Sequence, residues 1–145
     1  MFKNILVPVD GSPTSQQAVS RAVALARAFD GTITAIYVID PYPFAGVGTD
    51  FSYGQAQYLE AATAEANDAI RAAREAIAAA GVKVDTRVVE AHAPWRGILE
   101  TATELGSDIV VMGSHGRRGL EKLVLGSVAQ RVLAHAHIPV MVVRD

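Results

Sequence analysis

Four glycines punctuate the stretch Gly113-Ser114-His115-Gly116-Arg117-Arg118-Gly119, and then Leu125-Gly126-Ser127-Val128. The chemistry open to such a stretch is anion binding by the main chain. A loop that wraps an anion with its own amides needs residues without a Cβ, so that backbone can approach oxygen closely and turn where other residues are strained. Gly126-Ser127-Val128 also opens a helical pattern, and the first amides of a helix have no internal acceptor. Phosphate oxygens could take those donors, with the Ser127 hydroxyl as one more. Each such contact contributes only about 0.3–2 kcal/mol, so several must converge. Arg117, Arg118 and Lys122 could add mobile positive charge at the rim.

The plainer alternative is that these glycines only turn and cap the chain. Composition weighs against it. With 12 Gly among 145 residues, and Ser plus Thr only slightly more numerous, chance placement yields G-x2-G-x9-G-[ST] in about one sequence in a hundred. Its position between an apolar β-rich run and a helical period favours phosphate further.

The elements that would carry this loop can be read from the alternation of short β-rich runs with longer helical periods, the pattern of βαβ units around a parallel sheet. Asn4–Val9 is the first strand, with Pro8 confined to a place where no ladder donor is needed. Ser12 then offers an N-cap and Pro13 a first helical residue. Ala18, Val19, Ala22, Val23, Ala26 and Phe29 recur at helical spacing up to Gly31. Thr32–Ile39 is the second strand, and Asp40 to Gly54, rich in Pro, Gly and aromatics, reads as a loop or lid. Gln55–Ala80 is an alanine-rich helix with Leu59, Ala62, Ala66, Ala69, Ile70, Ala73 and Ile77 in one stripe, expected to pack on the sheet. Val82–Val89, helix Pro94–Leu105, Asp108–Met112, helix Gly126–Ala136 and Ile138–Val143 complete the set. The fold class is therefore α/β, a three-layer doubly wound sheet of five parallel strands in order 3-2-1-4-5, formed by one domain over residues 1–145. In such a sheet ligands sit beyond the carboxyl ends of the strands where the winding reverses. That places the segments after Val9 and after Met112 as two walls of one crevice.

Bulk properties narrow the partners. A net charge of −2 with mixed signs gives no broad basic field, so nucleic acid is not expected. No apolar stretch approaches a membrane span, so membrane insertion is not expected either. The absence of cysteine removes disulfides and thiolate chemistry and fits a reducing compartment. The opening residues lack the length and cleavage pattern of a signal peptide, so the expected location is cytoplasmic.

Gly113-x2-Gly116-x9-Gly126-Ser127 resembles the nucleotide motif of the universal stress protein (UspA-like) family, in its ATP-binding branch. The likeness extends to Ile5-Leu6-Val7-Pro8-Val9-Asp10-Gly11-Ser12, to Asp108–Gly116 and to Pro139–Val143, and so covers essentially the whole chain. It implies a fold of the adenine nucleotide alpha hydrolase-like (HUP) type. It also implies roles: Val38 backbone at the adenine edge; Pro8, Val9 and Asp10 on the base and ribose side; Met112, Gly113, Ser114, His115 and Gly116 along ribose and α-phosphate. Arg117, Arg118 and Gly119 would follow, with Gly126, Ser127 and Val128 on the outer phosphates. ATP would come with Mg²⁺, for which Asp10 is the candidate ligand. A homodimer through residues 138–143, or a tetramer, is implied, together with a regulated protein partner such as a membrane transporter.

Other chemistries lack their residues. The first turn, Asp10-Gly11-Ser12-Pro13, is no G-x-G-x-x-G, and Leu125-Gly126-Ser127 has no P-loop lysine. Gly113-Ser114-His115-Gly116 has the wrong spacing for a G-x-S-x-G elbow. His135 and His137 are two apart near a helix end, where side chains diverge, so a shared metal is not expected. His92 is read as a loop or packing residue, and Trp95 as packing its helix onto the sheet. His115 has no oriented partner to make it a general base. The expectation is a nucleotide-sensing module, with a slow ATPase or phosphotransferase and a nucleotide-independent dimeric scaffold as the alternatives.

Overall fold

The computed structural model describes residues 1–41, 51–116 and 125–144, the side chains of 51–53 and 55 excepted. Five strands and four helices alternate through these residues: β1 (Asn4–Pro8), α1 (Pro13–Phe29), β2 (Thr32–Ile39), α2 (Phe51–Ala79), β3 (Val84–Glu90), α3 (Pro94–Leu105), β4 (Ile109–Gly113), α4 (Ser127–His135) and β5 (Val140–Val143). All strand pairs are parallel, and the order is β3-β2-β1-β4-β5, as the sequence pattern predicts.

Side-chain alternation along the strands divides the apolar residues between two faces. Ile5, Val7, Ile33, Ala35, Ile109 and Val111 join Ala18, Ala22 and Ala26 of α1 and Ile70, Ala73 and Ile77 of α2 in one core. Leu6, Ile36, Val110 and Met112 join Ile98 and Ala102 of α3 and Ala129 and Val132 of α4 in the other. The helices sit where their own sequences put them. Ser12 caps α1 by accepting the Ser15 N–H at 3.2 Å, with Pro13 in the first turn. Asp30 in the left-handed region closes that helix, and Gly106 at φ +64° closes α3.

Several boundaries differ from the sequence reading. α2 begins at Phe51, so residues 51–54 are helical rather than part of a loop, and 42–50 lie outside the described residues. β3 starts at Val84 and β5 at Val140, each two residues later than expected: Gly81 at φ +79° still belongs to the turn after α2, and residues 137–138 form a bend. Gly126 is the cap of α4 rather than its first residue. Trp95 packs against the α3/α4 core as expected, and it also stacks on His135 of α4, with ring centroids 4.3 Å apart and planes at 26°.

Pro8 shapes the middle of the sheet. Main-chain groups of alternate residues face opposite neighbours. Val9 donates to the Ile36 carbonyl of β2 at 2.8 Å, and Asn4 accepts from Asp108 beside β4 at 2.9 Å, so even-numbered residues of β1 face β4. The donor that Pro8 lacks therefore falls on the β4 side. Pairing with β2 runs to Pro8↔Ile36, whereas pairing with β4 stops at Leu6↔Val110. The seam between β1 and β4 opens early, where the winding reverses.

Among the described residues no helix is long and apolar enough to cross a membrane. Leu6, 0% exposed in the central strand, is the most demanding single test of the packing. Leu6→Ala should cost about 2–5 kcal/mol, seen as a lower urea midpoint at unchanged slope.

Candidate functional site

The two segments that leave the seam are the turn Asp10–Ser15 after β1 and the segment Ser114–Gly116 after β4. The first is knitted by its own polar groups. Asp10 Oδ1 accepts the Ser12 N–H at 2.8 Å, and the Asp10 N–H donates to Ser15 Oγ at 3.2 Å. Gly11 takes φ +82°, a conformation that side chains resist. Asp10 is thus a turn-former through one carboxylate oxygen. The other lies 2.8 Å from the point a Cβ on Gly116 would occupy, so this carboxylate reaches across to the second wall.

The second wall is fixed peptide by peptide. The Ser114 N–H continues the ladder to the Val143 carbonyl at 2.8 Å, and the Ser114 carbonyl accepts the Gly126 N–H at 2.7 Å. That bond brings the start of α4 against the end of β4. It also corrects one expectation, because the Gly126 amide is spent inside the protein and is not offered to a ligand. Gly126 is needed for closeness instead: a Cβ there would stand 3.1 Å from His115 Cα and 3.2 Å from the Ser114 oxygen. The next two amides, Ser127 and Val128, open α4, whose first intrahelical-type bond is Gln130 N–H to the Gly126 carbonyl. Helix geometry leaves both without an acceptor of their own.

The two walls touch through Thr14. Its side chain, 1% exposed, donates from Oγ1 to the His115 carbonyl at 2.7 Å. Gly113 leaves room for it, since a Cβ there would come within 3.0–3.1 Å of three Thr14 atoms. Nothing in the sequence singles Thr14 out. A threonine in the first turn of a helix is ordinary, and its partner is 101 residues away.

Of the remaining sequence candidates, Val38 lies on β2 with its side chain on the α3/α4 core, pressed by Gly97, where a Cβ would approach Val38 Cγ1 to 3.2 Å. By the same alternation that orients Ile36, the main-chain groups of Val38 face the side from which β1 has already departed. Pro8 is half-buried at the end of β1. Val9 and Met112 bury their side chains in opposite cores, so main-chain atoms alone could serve a ligand there. Arg117, Arg118 and Gly119 lie outside the described residues, as does Lys122. His115 is half-buried with Nδ1 3.1 Å from the Ser114 hydroxyl. His92 places Nδ1 3.5 Å from Asp40 Oδ1 at the end of β2. A cleft of about 240 Å³ opens there, between Tyr37–Asp40 and Tyr58, Ala61, Ala62 and Glu65 of α2. It flanks the crevice at Val38 rather than lying between the glycine walls. No three His, Asp or Glu side chains among the described residues are gathered to hold a metal ion.

A doubly wound parallel sheet whose reversal point carries a glycine-rich wall and a helix N-terminus defines a class of small-ligand-binding α/β proteins. Residues 1–144 match the model of the universal stress protein family, and the chain belongs to that family. It is 38% identical to a universal stress protein of Methanocaldococcus jannaschii over 144 residues, covering 99% of this chain and 83% of that relative. Among solved structures it is similar to universal stress protein UspA from Lactobacillus plantarum, with a TM-score of 0.87 and 30% identity over 99% of this chain and 98% of the other. It is also similar to a universal stress protein in complex with cAMP, with a TM-score of 0.69 and 26% identity over 99% and 97% of the two chains.

The fit between Gly113 and Thr14 can be tested without any ligand. Gly113→Ala should lower stability by about 1–3 kcal/mol, because the added methyl meets a buried side chain and its backbone. Urea denaturation measures it, and wild-type stability would show that the walls are looser than described.

Proposed function

We propose that this chain is an ATP-binding regulatory module of a stress response, with the nucleotide lodged in the crevice between the Asp10 turn and the Ser114–Val128 wall. The observation that carries the reading is the wall itself. The Ser114–His115 and His115–Gly116 peptides are each held by a hydrogen bond at their carbonyl, next to a helix whose first amides have no acceptor of their own. Such a surface suits phosphate oxygens. A related chain bound to cAMP supports adenine nucleotides as the ligand class.

Base and ribose would lie between Pro8, Asp10 and the Val38 backbone, and the phosphates along Gly113, Gly116, Ser127 and Val128. Arg117, Arg118 and Gly119, outside the described residues, belong to the same proposal by their place in the sequence between Gly116 and Gly126. Mg²⁺ would take oxygen ligands from the phosphates and water, with Asp10 as the protein carboxylate; one protein carboxylate is a usual share for this ion. Binding rather than turnover is the better reading. What supports it is that the crevice offers main-chain donors held in place, while the Asp10 carboxylate, with Oδ1 in its turn, is assigned here to the cation rather than to proton transfer.

Calorimetry with ATP and Mg²⁺ on the wild type and on Gly116→Val tests this. The valine Cβ would collide with Asp10 Oδ2, and Gly116 is exposed, so the fold should survive while affinity drops about tenfold or more. Equal affinity in both proteins removes the proposal. Phosphate release above background in the same samples would favour the ATPase alternative.

The module is proposed to work as a homodimer through β5, cytoplasmic, acting on a protein partner such as a transporter. β5 is an edge strand with Met141 37% exposed, and unpaired edges invite association. Met141→Arg should convert the sedimenting species from dimer to monomer while leaving ATP affinity unchanged.

A further inference from the structure

The contact between Thr14 and His115 has a consequence for how the wall is aimed. The Thr14 hydroxyl has one proton, and the His115 carbonyl at 2.7 Å can only accept it. Ser12 Oγ, 3.4 Å from Thr14 Oγ1, must then be the donor of that pair, and it in turn accepts the Ser15 N–H at 3.2 Å. The chain of bonds therefore runs one way, from the first turn of α1, through two hydroxyls buried at 4% and 1% exposure, to a carbonyl on the other wall.

A trans peptide is planar, so its C=O and the following N–H point in opposite directions. Holding the His115 carbonyl toward α1 turns the Gly116 N–H away from α1. The neighbouring peptide is held in the same manner, since the Ser114 carbonyl accepts from Gly126 and the His115 N–H must face away from that bond. The two consecutive amides are aimed before any ligand arrives. A donor fixed in advance costs less ordering on binding than one that must be found.

We propose that Thr14 is a positioning residue for phosphate: its buried hydroxyl presets the direction of the Gly116 N–H. The nucleotide part rests on the function proposed above. The presetting itself does not.

The experiment compares wild type, Thr14→Val and Thr14→Ser in two measurements. In nucleotide-free protein, NMR should show the His115 carbonyl-carbon resonance moving upfield in Thr14→Val, with the Gly116 amide following, and both near wild-type positions in Thr14→Ser. In calorimetry with Mg²⁺, Thr14→Val should weaken ATP about tenfold, the scale of one hydrogen bond. Binding of adenosine, which has no phosphate, should be unchanged, and Thr14→Ser should restore ATP binding. Unmoved resonances in Thr14→Val, or equal losses for ATP and adenosine, would overturn the proposal. A wild type that binds neither ligand, with the resonances still moving, would remove the nucleotide function and the phosphate role while upholding the preset amide.

Discussion

The missing N–H of Pro8 is the constraint around which this molecule is arranged. A parallel sheet held on both faces has no reason to part in the middle, and β1 is its central strand, with Ile5, Leu6 and Val7 at or near zero exposure. Proline cannot donate, and the alternation of β1 sends that vacancy toward β4 rather than β2. The two ladders consequently end two residues apart. The chain on one side turns into α1 through Asp10–Ser15, and on the other it enters the glycine-rich wall. Because the connections here wind in opposite senses, neither helix layer closes over the gap.

An opening in a sheet is only an opening until its edges hold still. Here the edges are held by a small number of polar groups whose acceptors and donors are matched. Asp10 ties down the turn, Ser12 caps α1, Thr14 spans the two walls, and the Gly126 N–H fastens α4 to the end of β4. No buried side-chain nitrogen or oxygen among the described residues lacks a partner. The glycines complement this by absence. Gly113 makes room for Thr14, Gly126 for His115, and Gly116 keeps clear of Asp10. Donors held still in this manner lose little freedom when a charged group is bound.

The elements and their order were legible because their signals are local. The apolar runs Ile5–Val7 and Ile109–Met112, the cap Ser12-Pro13 and the stop at Gly106 each act within a few residues. The helical stripe of α2 was legible too, and Ala66, Ile70, Ala73 and Ile77 are buried. The start of α2 was not, since Phe51 to Gly54 carries residues that favour turns and is helical all the same. The candidate wall was legible as a spacing of glycines. What each glycine does was not: from the sequence Gly126 reads as a donor to phosphate, and its amide is occupied by Ser114.

Local chemistry along the chain thus determined the strands, the helices, the reversal between β1 and β4 and the presence of a glycine-rich segment beyond it, because period, caps and turn residues act over short distances. Tertiary structure alone decided which groups meet across that reversal. The contact of Thr14 with His115 spans 101 residues, and the approach of the Asp10 carboxylate to Gly116 brings together the segments after β1 and β4. Neither leaves a periodicity or a motif to read. A hydrogen bond between distant residues depends on where two chain segments end in space, and only the packed sheet fixes that.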